Sequence, residues 1–233
     1  MSVEVRRGAD RFVTRIEGIV SRHSFSFGEH YDPGNVGYGL LLVHNDDLLA
    51  PGAGYDTHRH ADTEIVTWVV EGRLAHEDST GHVGVLGPGT IQLTSAGSGI
   101  THSERNASAD EPVRFVQMHL PPDEPGAAPS YSQAGVRLEP GALVTVASGR
   151  DDRPGVVPLG NARATLHAAR LDADDTVVLP HTAWLHVYVT RGTAHLEATG
   201  LLHEGDEVRV TDEPHRRLAG TLAGTEVLVW EMG

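Results

Sequence analysis

The sequence predicts an all-β chain of two tandem, jelly-roll-like barrels built from short strands, with little helix. Three observations support this. First, 27 glycines and 13 prolines punctuate the 233 residues at short intervals. Second, the segments between them are short and rich in Val, Leu, Ile and Thr, as in Ile65–Val70, Val113–Met118, Trp184–Val189 and Glu226–Trp230. That length and β-branched content suit strands separated by turns, and many such strands make a sandwich or barrel. Third, the chain repeats itself. Val69–His76 has a counterpart in Val189–His195, each a strand, a glycine turn and a second strand. Leu86–Thr90 is echoed by His203–Glu207. The offsets from Gly72 to Gly192 and from Gly89 to Gly205, 120 and 116 residues, nearly agree, as two copies of one module require.

The segment Pro121–Pro129 breaks the pattern, with three prolines in its first five residues and no apolar period. It reads as a linker, dividing the chain into an N-terminal domain at 1–122 and a C-terminal domain at 123–233. Helix is expected only as short pieces near Pro129 to Ala134, since no long segment shows a helical period with caps.

Composition narrows the function. There is no cysteine, which removes disulfides, thiolate metal sites and cysteine nucleophiles. The formal charge of -14 repels nucleic acid and anionic membranes, so no direct nucleic-acid partner is expected. The basic pairs Arg6–Arg7, Arg150/Arg153 and Arg216–Arg217 are too short to reverse that and read as solvated surface. No apolar stretch of about 18 residues or secretory h-region appears, which fits a cytoplasmic protein without membrane insertion. Fifteen histidines are many, so spacing must select the functional ones.

His58 and His60 form a His-x-His pair. Strand side chains alternate faces, so residues i and i+2 point the same way. His102 and Glu104 repeat the arrangement 44 residues later. Two such pairs on neighbouring strands aim four ligands at one point. Glycines flank both pairs, at Gly52 and Gly54 and at Gly97 and Gly99, where the backbone turns close to a site.

The spacing Gly52-x5-His58-x-His60-x3-Glu64-x7-Gly72 resembles the first cupin motif with one extra residue before its last glycine. Gly99-x2-His102-x3-Asn106 resembles the end of the second, with Gly97 where proline is usual. The runs His58–Gly72, His76–Gly81 and Gln92–Glu104 are more specifically similar to the pirin family, including its bacterial quercetin-dioxygenase-like members. The likeness covers about residues 35 to 120 and, through the repeat, extends more weakly to the C-terminus. It implies a bicupin with one divalent transition metal in its N-terminal barrel, held by His58, His60, His102 and Glu104. Glu64, a ligand in many other cupins, is then a partner that orients a histidine, or a solvated strand residue. Arg59 replaces the usual proline between the first two histidines and is expected to face away from the ligands. His119 stands where the family commonly has an aromatic residue.

The second half lacks this set. His167, His181, His186, His195, His203 and His215 have no ligand spacing, and Leu218–Leu222 occupies the region where the second ligand pair would fall. A C-terminal domain without metal ligands is therefore expected.

Three imidazoles and a carboxylate suit Fe(II), Mn(II), Co(II), Ni(II) or Cu(II) better than Ca(II) or Mg(II). Fe(II) is the ion expected here, with Mn, Co, Ni, Cu or Zn as alternatives. Four protein ligands on a six-coordinate ion leave two positions open. Glu104 is then either a ligand alone or also the catalytic base that takes a substrate hydroxyl proton, with His76, Asp78 and Gln92 as supports. Two functions follow from the resemblance. One is a dioxygenase acting on a quercetin-like flavonol or another enolisable small molecule. The other is a redox-sensing regulatory protein that acts through a protein partner.

Overall fold

The computed structural model describes residues 2–214 and 216–233; His215 lies outside the described residues. The chain forms two compact units. The first holds residues 12–136 and 157–162, and the second holds the residues up to Arg11, 137–156 and 163–233. Apart from a 3-10 turn at Gly8–Asp10, the regular structure of the described residues is all strand. No helix among them is long and apolar enough to cross a membrane.

Strand β1 (Ser2–Arg6) belongs to the second unit. The first unit runs through β2 (Phe12–Ile16), β3 (Ile19–His23), β4 (Val43–Leu49), β5 (Gly54–His60), β6 (Glu64–Glu71), β7 (Leu74–Asp78), β8 (Val83–Leu86), β9 (Thr90–Ser95), β10 (Ile100–Asn106), β11 (Val113–Leu120) and β12 (Ser130–Gly135). One sheet has the order β12-β9-β6-β11-β4-β3-β2 and the other β5-β10-β7-β8. In the second unit follow β13 (Leu143–Ser148), then β15 (Ala164–Leu171), β16 (Thr176–Val178), β17 (Trp184–Arg191), β18 (Thr193–Leu196), β19 (Gly200–His203), β20 (Glu207–Thr211), β21 (Arg217–Gly220) and β22 (Thr225–Met232). Between β13 and β15, β14 (Val157–Pro158) returns to the first unit. The second unit's sheets run β1-β20-β17-β22-β15-β13 and β16-β21-β18-β19. This is the first unit's strand order again, β9-β6-β11-β4-β3 answering to β20-β17-β22-β15-β13. The repeated glycine turns sit where the motif places them, with Gly72 and Gly192 at φ 75° and 76°. Gly72 also lies so close to the Pro112 carbonyl that any side chain would collide with it.

Two expectations are corrected. Ser130–Gly135 is not helical but the edge strand β12, paired antiparallel with β9 from Ser130↔Ser95 to Gly135↔Thr90. Its short, polar sequence carries no strand alternation to read, and its pairing with β9 decides the conformation. Consequently Pro121–Pro129 joins two strands of the same sheet, and the expected division at 122/123 falls inside the first unit.

The inner face of the first unit changes character along its strands. At one end Ile19, Leu49, Val69, Leu74, Leu86, Val113 and Phe115 form an apolar cluster. Two residues along from Val69 and Phe115 stand Thr67 and Gln117. Residues directly opposite in register share a face. Asn45, Gln117, Thr67, Gln92 and Gln133 therefore form one polar row across β4, β11, β6, β9 and β12. The repeat supplies the comparison. Thr67 corresponds to Val187, Gln92 to Val208 and Gln117 to Val229, with the same cross-strand partners. His76 and Glu104, opposite one another on β7 and β10, correspond to Leu196 and Leu218 on β18 and β21. All five of these aliphatic residues lie in the second unit's apolar core.

Candidate metal centre

Strands β5 and β10 bring the expected residues together. They pair antiparallel with Ile100 opposite His60 and His102 opposite His58. A bulge then shifts the register so that Glu104 stands opposite Tyr55. Bulges re-aim side chains while keeping the strands paired. On β10, His102 and Glu104 are both buried, with Ser103 between them less so, as strand alternation requires.

The Nε2 atoms of His58 and His102 lie 3.1 Å apart. Two nitrogens each about 2.1 Å from one ion, at a right angle, lie about 3 Å apart. His58 Nδ1 donates to the Asp56 carbonyl at 2.7 Å, which leaves Nε2 as the lone-pair nitrogen. The His60 ring meets those of His58 and His102 edge-on at 4.8 and 5.0 Å. His58, His60 and His102 form one group able to hold a metal ion. Glu104 falls in a second group with His76 and His102, so that His102 joins the two.

The buried donors call for a partner of this kind. His60 Nε2, His102 Nδ1, His76 Nδ1 and Glu104 Oε1 are buried without a hydrogen-bond partner. Burial, then the neighbouring imidazoles, pushes His60 and His102 down to about 4, which keeps their lone pairs free. Burial raises the Glu104 carboxyl from its ordinary value, against the Gln117 hydrogen bond and the nearby histidines. A cation beside these groups would relieve both. The donor set of three imidazoles and a carboxylate thus fits a divalent transition metal.

Around this centre lie further residues, of which Gln117 and Tyr131 were not singled out from the sequence. Gln117 Nε2 donates to Glu104 Oε2 at 2.7 Å. Alternation along β11 from His119 would have pointed to it. His119 itself meets His60 edge-on at 5.4 Å, and burial pushes it down to about 3, so it is a neutral imidazole at this position. His76 Nε2 bonds Asp78 Oδ2 at 3.1 Å. Burial raises Asp78, but hydrogen bonds from Thr80, His76 and His82 outweigh it and hold the carboxyl at about 2. Tyr131, from β12, packs its ring 4.9 Å from His76 and 4.7 Å from His82. Its hydroxyl reaches Gln92 Oε1 at 3.1 Å and Gln133 Oε1 at 2.7 Å.

The remaining expectations resolve individually. Glu64 orients no histidine and is not solvated. It is 2% exposed, and its Oε2 accepts from Ser95 Oγ at 2.8 Å and the Gly160 amide at 2.9 Å. It anchors residues 157–162 to the first unit. Arg59 projects outward and donates to the Ser98 carbonyl at 2.9 Å, tying β5 to the turn before His102. Gly97 has φ 46° and packs against the Ala127 carbonyl, a conformation closed to the usual proline. In the second unit no group of metal-ligating side chains is found among the described residues.

Comparison with known proteins bears on the family and the fold. A family model described as Pirin matches residues 5–120. A Mycobacterium tuberculosis protein named "Putative quercetin 2,3-dioxygenase" is 51% identical over 99% of this chain and 95% of its own length. A Caulobacter vibrioides "Pirin-like protein" is 35% identical over 84% of each chain. The crystal structure of the bacterial pirin YhhW from Escherichia coli in complex with nickel(II) superposes with a TM-score of 0.89 at 29% identity, covering 99% of both chains. By sequence and by fold this chain belongs to the pirin family.

Proposed function

We propose that the protein is a metal-dependent dioxygenase acting on a quercetin-like flavonol or another enolisable small molecule. Its ligands in this reading are His58, His60, His102 and Glu104. The observation that carries the proposal is the 3.1 Å approach of the His58 and His102 Nε2 atoms beside the partnerless Glu104 Oε1. The quercetin dioxygenase name of the mycobacterial relative and the nickel(II) of YhhW support it. Iron(II) is the proposed physiological ion.

When bound, the ion supplies Lewis acidity and a fixed point for the substrate's enol oxygen. The chain's own residues do the rest. The His58 ring is set by its bond to the Asp56 carbonyl. Glu104 is held through one oxygen by Gln117, and its other oxygen, the one that would ligate the ion, also has the lone pair that takes the enol proton. Burial of His102, Glu104 and His76 keeps water from competing for that proton.

The test is aerobic flavonol consumption by iron(II)-reconstituted protein, with apo protein and a His102→Ala variant as controls. Turnover that needs metal and vanishes in the variant is expected. One metal bound per chain with no turnover would overturn the flavonol reading and favour a sensing role or another substrate.

A further inference from the structure

The inner face beside the metal centre carries polar groups that the fold does not require. Thr67 and Gln92 are fully buried, and Gln117 is nearly so. Thr67 Oγ1 and Gln92 Nε2 have no hydrogen-bond partner. Gln92 Oε1 lies 3.1 Å from the Tyr131 hydroxyl, which makes its shorter contact, 2.7 Å, to Gln133 Oε1, and the Gln92 Nε2 group is left without a partner. An unpartnered buried polar group is destabilising, whereas a valine buried in its place is stabilising. The second unit fills the same three positions with Val187, Val208 and Val229. One chain therefore holds both solutions to the same packing problem, and the polar one occurs only in the unit with the histidine trio.

Both ends of this wall reach the metal centre. Gln117, opposite Thr67, holds Glu104. Gln92, also opposite Thr67, is bonded to Tyr131, whose ring packs on His76, which in turn lies 5.5 Å from the His102 ring. We propose that Gln92 and Thr67 are substrate-orienting residues. Their N–H and O–H groups receive oxygen acceptors of an oxygen-rich enol, at positions away from the oxygen that meets the ion. The inference rests on the enol-binding reading above and adds that the ligand's remaining oxygens, not its apolar area, set its orientation. A site that donates to a ligand oxygen discriminates against the analogue lacking it, because its own buried groups are then left unpaired.

The experiment is anaerobic absorption titration of nickel-loaded protein with quercetin and with 3-hydroxyflavone, which keeps the metal-binding enol and lacks the other hydroxyls. Wild type is expected to bind quercetin more tightly. Gln92→Leu and Thr67→Val should each weaken quercetin about threefold to tenfold and leave 3-hydroxyflavone unchanged. Thr67→Ser, which keeps the hydroxyl, should retain quercetin binding, and nickel content should stay at one per chain throughout. Unaltered quercetin affinity in both variants, or a parallel loss of both flavonols, overturns the proposal alone. Failure of nickel-loaded wild type to bind either flavonol overturns it together with the flavonol reading.

Discussion

Gln117 Nε2 donates to Glu104 Oε2 at 2.7 Å, and both side chains are buried on the inner face of one barrel. This bond fixes which carboxylate oxygen is available to an ion or a proton. Gln117→Leu removes it with little change in volume. Metal affinity should fall about 10- to 100-fold with stoichiometry unchanged. Calorimetric titration with nickel(II) measures this, and an unchanged Kd would mean that packing alone positions Glu104.

His102 belongs to both metal-capable groups, whereas His76 belongs to one and is already bonded to Asp78. His102→Ala should therefore abolish metal retention through gel filtration, and His76→Gln should leave one metal per chain. Loss of the metal in His76→Gln would move the ion toward the inner group and exchange the roles of His76 and His58.

Gly97 sits at φ 46° against the Ala127 carbonyl, five residues before His102. Gly97→Ala adds both backbone strain and a collision. A loss of about 1–3 kcal/mol is expected, read as a lower Tm of the apo protein. A Tm equal to wild type would show that the 127–129 segment yields freely.

In the second unit Glu207 is fully buried. It accepts from Arg209 Nη2 at 2.7 Å and lies 3.4 Å from His186 Nε2. Burial pulls its carboxyl upward, but His186, Arg11 and Arg209 outweigh this and hold it well below the ordinary value. Because the folded value is depressed, the stabilisation is present above the unfolded pKa near 4.5 and is lost as pH falls below it. Glu207→Gln should cost about 3–5 kcal/mol at neutral pH by removing the buried charge to which Arg209 is bonded. Its Tm should also fall less steeply than that of wild type between pH 5 and 3. Parallel melting curves across that window would remove Glu207 from the acid response.

Much of this was legible in the sequence where spacing and chemistry coincide. Gly72 and Gly192 marked equivalent turns because only glycine takes that conformation cheaply beside another strand. His58, His60 and His102 declared themselves through period-two spacing. Gln117, Tyr131 and the anchor role of Glu64 did not, because each depends on which strands become neighbours. Gln117 acts through a residue 13 positions away, and Glu64 binds a glycine amide 96 positions away. Strand β12 was hidden for the same reason: its six residues carry no apolar period, and only the waiting edge of β9 makes them a strand.

That edge strand decides how the protein can be dissected. A fragment ended at the proline-rich segment would look like an intact metal domain in a gene map, since it keeps every candidate ligand. It would nevertheless bare the β9 edge, a template for strand addition between copies. It would also discard Tyr131, the ring packed on His76. A faithful fragment of this site therefore extends at least through Gly135, and fragments trimmed to the ligand motifs alone should be sticky and weak in metal retention.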